Sequence, residues 1–449
     1  MPLTCQVVTR YAIDPPGWVT RSISGGLGLL QRGGVPFLRG ADERDLRGLA
    51  LGIGTAARRI TASAIVAPPS SSGWAEDDVD PFLVLADDDR AALLSDNREA
   101  FEFKCAAVDA ARESIDCALF YVADDDAGAR FAAALTRAVA RGVKVRLGVD
   151  RLVTIEKQYG PAGFAASAER GSWALLQRLE REGVGLHVLG DDRWCMHRKF
   201  LLVDGASLII GGRNVADHYA SDGWRDLEIH FTGPLARSFA RVAELTFNRP
   251  LSPASPESLK GVVLGVPGRR GAAFANAVTR LVERTRSTLD VEHAYVLEQA
   301  WFVEALARAI DRGVRVRLFT NSGTSNDLPF INWRMATTHR LLLRAGTSVH
   351  RRREAGATLH TKAIVGDARY VVFGSTNLDY YSATYCAEVD LAIDSAILGG
   401  QLASFIEEGV QASSTEAVLA GTPAAAALAR ESRALSVSRC CDWLLHDMQ

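Results

Sequence analysis

The chain of 449 residues has no stretch of about 20 consecutive apolar residues, which is the length that a membrane-spanning helix needs. Its most apolar segment near the N-terminus, residues 49–67, is interrupted by Arg58 and Arg59. We therefore expect no spanning helix and no secretory signal peptide, and we expect the protein to be cytoplasmic.

Paired cysteines and a strong net charge are also missing. The seven cysteines are scattered and form no C-x-x-C pair, so the sequence indicates neither a zinc site nor a redox pair. Cys195 and Cys386 are interpreted as small core residues of a protein from a reducing compartment. The net charge of −2 excludes a globally basic nucleic-acid binder, and we expect no nucleic-acid partner.

What the sequence does contain is one motif that occurs twice. The pattern H-x-K-x4-D is found at His197–Asp204 and again at His360–Asp367, and a glycine-containing stretch that ends in asparagine follows each copy. The two histidines are 163 residues apart, and so are the two asparagines, Asn214 and Asn377. A single H-x-K is most often a pair of surface side chains on a strand, whereas two copies in register indicate a duplicated functional site.

The residue types of the motif suit a phosphate group. On a strand, alternation places the histidine and the lysine of each copy on one face, next to each other. Lysine donates hydrogen bonds without accepting them, an asparagine amide also donates, and glycine lets the backbone approach a ligand closely. We assign substrate binding to the residues that follow the motifs, namely Gly212, Asn214, Gly374, Ser375 and Asn377.

Two histidines on opposite sides of one phosphorus atom can divide the work of a group transfer. One attacks and forms a phosphohistidine, and the other protonates the leaving alcohol and then deprotonates the incoming one. Histidine suits both roles because its ordinary pKa lies near neutral pH. Lysine and asparagine donors would stabilise the phosphate oxygens, so we expect neither a metal ion nor another cofactor. The catalytic candidates are His197, Lys199, Asp204, His360, Lys362 and Asp367.

Acidic residues around the motifs have two different expected roles. Asp226 lies 29 residues after His197. Glu388 lies 28 residues after His360, and we predict that these two carboxylates orient the imidazoles. The aspartates of the motifs themselves directly follow their strands, where hydrogen bonding at a turn or strand end is a commoner role than direct catalysis.

The duplication extends beyond the motifs and predicts the fold. Residues 114–121 and 288–295 are matching strand signals, and an amphipathic helix pattern that ends at Arg-Gly-Val follows each of them. A valine-rich strand comes next in both copies, and strand–helix–strand order predicts a mixed sheet covered by helices. We expect an α/β protein of two pseudo-symmetric domains with one active site at their interface.

Composition suggests where the domains begin and end. Residues 1–80 have no clear period and no assigned role, and we expect them to be poorly ordered. Residues 81–247 and 272–412 form the two domains, and the Pro-, Ser- and Gly-rich residues 248–271 form the linker between them. The tail, residues 413–449, is rich in alanine and is predicted to pack on the body of the protein, with membrane docking through Trp443, Leu444 and Leu445 as the alternative. The sequence leaves the oligomeric state open.

At these residues the chain resembles the phospholipase D superfamily, whose signature is two H-x-K-x4-D motifs joined in one active site. The likeness is closer to the cardiolipin synthase-type branch, through residues 211–219, 224–227 and 374–379. It covers roughly residues 96–409. The sequence departs from the branch at Tyr381, where relatives commonly have arginine, and it lacks the two N-terminal spanning helices of many relatives.

The resemblance implies two phospholipase D-like domains and a metal-independent transfer of a phosphatidyl group that makes cardiolipin. Phosphatidylglycerol is the expected substrate, with phosphatidylethanolamine as a further candidate. In the family the histidine of the first motif is usually the nucleophile, which is His197 here and leaves His360 as acid and base; the residues alone do not decide this order. Without a spanning helix the protein would dock on a membrane surface peripherally. The basic run Arg351–Arg353 is interpreted as a solvated loop, with contact to anionic lipid as the alternative.

The motifs leave three other functions open. A phospholipase D-type hydrolase would use water as the acceptor and release phosphatidic acid. A nucleic-acid phosphodiesterase of the same superfamily would need a basic groove with stacking aromatic side chains, and the net charge argues mildly against it. A non-catalytic lipid-binding protein could retain the fold, but both motifs are intact in this chain.

Overall fold

The computed structural model describes residues 80–151, 172–191, 194–248, 258–267, 271–297, 299–328, 331–354 and 356–416. The predictions for residues before 80 and for the tail after 416 lie outside the described residues, as does part of the predicted linker. No helix within these described ranges is both long enough and apolar enough to span a bilayer.

The chain folds into two similar halves of alternating strands and helices. In chain order the first half contains β1 Leu83–Val84, β2 Arg90–Leu94, α1 Asn97–Ala110, β3 Ser114–Ala118, α2 Asp126–Ala140, β4 Lys144–Asp150, α3 Trp173–Arg181, β5 Gly185–Leu189, β6 Cys195–Met196, β7 Phe200–Val203, β8 Ser207–Gly211, β9 Glu228–Thr232, α4 Pro234–Ser238 and α5 Ala240–Phe247. The second half contains β10 Ser258–Leu259, β11 Val262–Leu264, α6 Ala272–Arg284, β12 Thr288–His293, α7 Ala300–Asp311, β13 Arg315–Thr320, α8 Asn332–Ala345, β14 Ser348–Arg351, β15 Lys362–Gly366, β16 Tyr370–Gly374, α9 Tyr380–Tyr385, β17 Cys386–Ala387, β18 Val389–Asp394, α10 Ala396–Gln411 and β19 Ser414–Glu416.

Each half is built on a mixed sheet, and the two sheets share one strand order. The first sheet runs β2-β9-β8-β7-β3-β4-β5. The second runs β10-β11-β18-β16-β15-β12-β13-β14-β19. In both, two strand–helix–strand units give three parallel strands, and antiparallel strands that include the motif hairpin complete the sheet. The predicted α/β fold of two pseudo-symmetric domains is confirmed.

Local sequence explains the matched strand–helix–strand units. The helices α2 and α7 end two residues before Gly142 and Gly313, with the cap residues Arg141 and Arg312 in between. Both glycines have a left-handed backbone, with φ of 88° and 89°. Glycine adopts this conformation without the steric cost that a Cβ brings, so the chain can turn sharply into the next strand. The Arg-Gly-Val signature in the sequence is therefore a helix end followed by a buried strand.

The halves differ from the predicted domain boundaries in three places. Strand β1, at the start of the predicted first domain, pairs with β18 of the second sheet. Strand β11 lies inside the predicted linker, but it is buried and also pairs with β18. Strand β19, at the start of the predicted tail, pairs with β14. These strands have only two or three residues, and their partners are remote in sequence, so periodicity does not reveal them.

Hydrophobic side chains hold the two halves together. Helices α1 to α3 pack on the first sheet and α6 to α8 on the second, each with its own apolar cluster. A third cluster contains side chains of both halves, including Phe200 and Phe239 from the first and Phe373 and Leu402 from the second. Burying one such side chain stabilises the fold by about 1.5–3 kcal/mol. The contact between the halves is therefore a shared core, and it brings the two motifs together.

Candidate active site

The two histidines lie where each half meets the other. His197 and Lys199 precede β7, and His360 precedes β15, which begins at Lys362. The prediction that the H-x-K residues lie on strands is therefore wrong for His197, Lys199 and His360, and it holds only for Lys362. The reason is that the histidine backbone bonds to the opposite half: the His197 amide donates to the Ala387 carbonyl oxygen at 2.9 Å, and the His360 amide donates to that of Arg225 at 2.7 Å.

Each histidine is paired with a carboxylate from the other half. The Nδ1 atom of His197 is 2.9 Å from both carboxylate oxygens of Glu388. The Nδ1 atom of His360 is 2.8 Å from Oδ2 of Asp226. The two acids that the sequence suggested as orienting residues thus contact imidazoles, but each contacts the histidine that lies across the interface rather than the one upstream in its own half. Neither half alone contains a complete histidine–carboxylate pair.

Glu388 is held by two serine hydroxyls in a fully buried environment. Ser375 donates to its Oε2 at 2.6 Å, and Ser382 donates to its Oε1 at 2.8 Å. Burial raises the pKa of Glu388 to about 8, although Lys199 and the two hydroxyls act in the opposite direction. Ser375, which was assigned to substrate binding, therefore supports a carboxyl group. Ser382 was missed, although it lies in the same conspicuous run of the sequence as Tyr381.

Asp226 has a different environment. Burial alone raises its pKa, but His360, Lys362 and Arg213 outweigh this effect and lower the pKa of Asp226 to about 2. Burial and then Lys362 lower the pKa of His360 to about 3. At neutral pH the aspartate is thus ionised and the imidazole neutral, so Nδ1–H donates to the carboxylate and Nε2 keeps its lone pair.

The two lysines are buried beside the histidines. The Nζ atom of Lys199 donates to the His197 carbonyl oxygen at 3.0 Å, and Lys362 donates to the corresponding oxygen of His360. Burial lowers the pKa of Lys199 to about 7 and that of Lys362 to about 8. A phosphate placed between them would favour the charged ammonium forms, because an anion nearby offsets the cost of burying a cation.

The glycines of the motifs make room for protein groups. A Cβ atom at Gly212 would collide with the carboxylate of Asp226, and one at Gly374 would collide with the Val389 carbonyl oxygen and with Asp390. A side chain at either position would displace an acidic residue or a neighbouring strand, so glycine is needed there for packing, and a role in substrate binding stays a prediction.

The two asparagines differ in their contacts. Asn214 accepts from the Phe120 amide at 3.0 Å and donates to the Tyr219 hydroxyl at 3.1 Å, so its amide group is used within the protein. Asn377 is buried, and its Oδ1 atom has no hydrogen-bond partner among the described residues. The Oδ1 atom is an acceptor, so donation to a phosphate stays a prediction for the NH2 group of Asn377.

Asp204 and Asp367 bind backbone amides at the start of a neighbouring strand, and their assignment as catalytic candidates stays a prediction. Asp204 accepts hydrogen bonds from the backbone amides of residues 112–114 at 2.8–3.2 Å. Asp367 accepts from those of residues 286–288 at 2.7–2.9 Å. Both lie past the far ends of β7 and β15, and each ties the start of the neighbouring strand to the motif hairpin.

Aromatic rings border the histidines unequally. Phe120 lies edge-on to His197 with ring centres 4.9 Å apart, and Lys199 lies over its face. His360 has three aromatic neighbours, with ring centres at 5.3–6.2 Å: Tyr219, Trp224 and Tyr295. These rings were not predicted from the sequence to belong to the site, although residues 219 and 224 lie within segments that carry the family resemblance.

Cysteine pairing and the basic run also differ from expectation. Cys195 and Cys386 form a disulfide with Cα atoms 4.7 Å apart, whereas they were expected to be unpaired core residues.

Of the basic run, Arg351 ends β14 and Arg352 has a side chain that is only 13% exposed, so only Arg353 fits a solvated loop. Across the described part of the chain, no group of His, Cys, Asp and Glu side chains is arranged to hold a metal ion.

Two H-x-K motifs that meet between two similar α/β halves define a phospholipase D-like fold and site. The chain belongs to this family: the family model described as "Cardiolipin synthase, PLD-like domain" matches residues 105–229 and 278–409.

Curated relatives and a solved structure agree with this membership. The major cardiolipin synthase ClsA of Bacillus subtilis (strain 168) is 22% identical over 349 residues, which cover 72% of this chain and 70% of that protein. Cardiolipin synthase C of Escherichia coli (strain K12) is 23% identical over 397 residues, covering 68% and 81%. A crystal structure of phosphatidylserine synthase from Haemophilus influenzae Rd KW20 superposes with a TM-score of 0.60 at 14% identity, covering 81% of this chain and 96% of that one. At this identity the likeness concerns the fold alone.

Proposed function

We propose that the protein is a phosphatidyltransferase that makes cardiolipin from phospholipids through a phosphohistidine. The observation that carries this proposal is the crossed pairing of His197 with Glu388 and of His360 with Asp226, at 2.9 and 2.8 Å. Both imidazoles are anchored at Nδ1, which leaves their Nε2 atoms for chemistry at a phosphorus atom between them. The named relatives are cardiolipin synthases, which supports phospholipid substrates.

The first half of the reaction transfers the phosphatidyl group to the protein. The Nε2 lone pair of His197 attacks the phosphorus of a phosphatidylglycerol, the bond from phosphorus to the headgroup oxygen breaks, and His360 gives its Nε2 proton to the departing glycerol. We adopt His197 as nucleophile from the family resemblance. The two lysine ammonium groups stabilise the negative charge on the phosphate oxygens.

The second half of the reaction reverses these roles at a new alcohol. His360 removes the proton from a hydroxyl of a second phosphatidylglycerol, the resulting oxygen attacks phosphorus, and the bond between phosphorus and His197 breaks. To act as acid in the first half, His360 must carry a proton that it lacks in the empty site. The negative charge of the bound phosphate raises its pKa and so provides for this step.

The substrate must reach this site from a lipid surface, and we propose that the protein associates with membranes peripherally. The acceptor is phosphatidylglycerol, because its headgroup carries free hydroxyls. The donor is a second phosphatidylglycerol, which releases glycerol, or phosphatidylethanolamine, which releases ethanolamine. If water serves as acceptor instead, the same site acts as a hydrolase and releases phosphatidic acid. Whether the acceptor is a lipid hydroxyl or water therefore decides whether the protein is a transferase or a hydrolase.

The test is to incubate purified protein with phosphatidylglycerol vesicles, with and without phosphatidylethanolamine, and to identify lipid products by mass spectrometry. We expect cardiolipin from the wild type and none from His197→Ala or His360→Ala. His230→Ala is the matched control, because His230 contacts Ser207 and lies in neither motif. Phosphatidic acid as the main product would replace the transferase with a hydrolase. Turnover that survives either motif substitution would contradict a shared two-histidine site.

A further inference from the structure

The disulfide between Cys195 and Cys386 crosses the interface directly beside one histidine–carboxylate pair. The two cysteines face each other in the parallel pair of β6 and β17. His197 and Glu388 each follow a cysteine by two residues, and their side chains meet at 2.9 Å. The covalent bond and the catalytic contact are thus two neighbouring links between the same two chain segments.

Few other backbone contacts fix these segments to each other. The strands β6 and β17 have two residues each, and the His197 amide adds one further bond to Ala387. Such a short ladder provides only a few hydrogen bonds, each with a modest net contribution of about 1 kcal/mol. A covalent link through Cys195 and Cys386 therefore restrains the separation of the two segments more strongly than the ladder does.

The other histidine–carboxylate pair has no such link. His360 and Asp226 are joined by the segments around Leu359 and Arg225, which form a single parallel bridge. The residues that precede the pair by two positions, Trp224 and Thr358, are not cysteines. The guanidinium of Arg225 binds both carboxylate oxygens of Glu292 at 2.9–3.0 Å and strengthens this side of the interface by noncovalent contacts. Only the His197 side depends on a bond that a thiol reagent can break.

We propose that the Cys195–Cys386 disulfide positions Glu388 against His197, so that its reduction lowers turnover and its re-formation restores it. A dithiol supplies two electrons and two protons, the S–S bond breaks to leave two cysteine thiols, and the dithiol becomes its own cyclic disulfide. The cysteines are positioning residues, because neither touches the reacting atoms. The activity readouts rest on the proposed function, whereas the chemical and spectroscopic readouts below do not.

The burial of the disulfide determines how fast a dithiol can reduce it and lower the activity. Cys195 and Cys386 are 2% and 3% exposed. A dithiol reaches the sulfur atoms only when the two segments part, so reduction of the folded protein is expected to be slow. Activity should decline at the same rate as the two thiols appear. A loss of activity that precedes or outlasts thiol formation would assign the effect to another group and overturn the proposal.

The bond itself is tested by peptide mapping of protein purified without reductant and alkylated before digestion. We expect one linked peptide pair that contains Cys195 and Cys386, and alkylated Cys105 and Cys117, which are free in the structure. Two alkylated peptides in place of the linked pair would overturn the proposal, whatever the protein's activity is.

The positioning role is tested with oxidised and dithiol-treated protein on phosphatidylglycerol vesicles. Reduction should lower kcat by about tenfold or more and leave KM nearly unchanged, because misplacing a catalytic group impairs the chemical step more than binding. Cys195→Ala/Cys386→Ala should have the low kcat of the reduced form and no response to dithiol. Cys105→Ala is the matched control and should respond as the wild type does. Equal kcat before and after complete reduction would overturn the positioning role.

A readout that needs no substrate separates failure of this inference from failure of the proposed function. The imidazole of His197 can be followed by NMR in protein with labelled histidine, and His197→Ala identifies its signal. We expect the pH titration of His197 to differ between oxidised and reduced protein, whereas that of His230 stays the same. Identical titrations of His197 would mean that the disulfide does not govern its contact with Glu388, even in a protein that proved inactive on every lipid.

Discussion

The two histidine–carboxylate pairs share one geometry but differ in the charge of the carboxyl group. Burial raises the pKa of Glu388 to about 8, so this acid is mostly protonated at neutral pH. Asp226 is equally buried, yet the groups around it lower its pKa to about 2 and keep it ionised. A pair of motifs that look equivalent in sequence therefore produces one neutral and one charged partner for the two imidazoles.

The neighbours of the two carboxyl groups explain the difference. Glu388 is bonded by the neutral hydroxyls of Ser375 and Ser382, which stabilise a charge less than a cation does, and it has one lysine, Lys199, nearby. Asp226 lies close to the charges of Lys362 and Arg213. A duplicated fold can thus assign unequal roles to equal-looking histidines, because the role depends on the groups that surround each carboxyl group as well as on the motif.

The largest expected effect of breaking this asymmetry is that of Asp226→Asn. The ionised carboxylate accepts the Nδ1–H of His360, whereas an amide can present its NH2 group to Nδ1 and stabilise the wrong tautomer. We expect kcat to fall by about ten-thousandfold, as it does when the aspartate of a Ser-His-Asp triad is replaced by asparagine. Steady-state rates of cardiolipin formation measure it, and the exposed Asp222→Asn is the matched control. A fall of less than about tenfold would show that the charge of Asp226 is not needed.

Glu388→Gln should have a smaller effect, because glutamine resembles the protonated acid that this site holds at neutral pH. Its amide oxygen can accept the Nδ1–H of His197, and its NH2 group can donate to a serine hydroxyl. Nε2 of His197 then keeps its lone pair, so we expect kcat to fall by about tenfold. The same assay, run beside Asp226→Asn, compares the two pairs directly. If Glu388→Gln were as damaging as Asp226→Asn, the two carboxyl groups would be equivalent and the asymmetry would be absent.

The sequence was sufficient for the motifs, the duplicated strand–helix–strand units and both orienting acids, since these depend on residue types and on local periodicity. It did not show that Asp226 serves His360 and Glu388 serves His197, because spacing measures separation along one half and says nothing about contacts across an interface. Strand β11 was hidden for a related reason. Its flanks are rich in Pro, Ser and Gly, and its partner β18 is more than a hundred residues away.

The carboxyl asymmetry should also be visible in stability as a function of pH. The folded protein keeps the proton of Glu388 up to about pH 8, whereas the unfolded chain loses it near 4.5. Between these values the folded state binds more protons, so the contribution of Glu388 to the free energy of unfolding decreases as pH rises, by at most about 1.4 kcal/mol per pH unit. Glu388→Gln removes this decrease, and its stability relative to the wild type should increase over the same range.

Urea denaturation at several pH values between about 5 and 8 measures this difference. Asp222→Asn provides the contrast, because Asp222 lies at the surface, where it pairs with Arg98. Its stability relative to the wild type should therefore stay constant in this range. Parallel curves for the wild type and Glu388→Gln would mean that Glu388 is ionised in the folded protein.

The smallest expected effect on activity is that of replacing Asp204 or Asp367, which have the same contacts in the two halves. Asp204 and Asp367 each accept three backbone amides at the start of the neighbouring strand, at 2.7–3.2 Å. Replacing either carboxylate by asparagine should lower the free energy of unfolding by about 1–2 kcal/mol, because a charge-assisted bond becomes a weaker one at a partly exposed site. Thermal denaturation and kcat are measured for both variants, and we expect similar losses of stability with kcat unchanged. A lower kcat in variant protein that remains folded would support a catalytic role for these aspartates. Unequal losses of stability would mean that the two halves differ in their strand–hairpin contacts as well as in their active-site carboxyl groups.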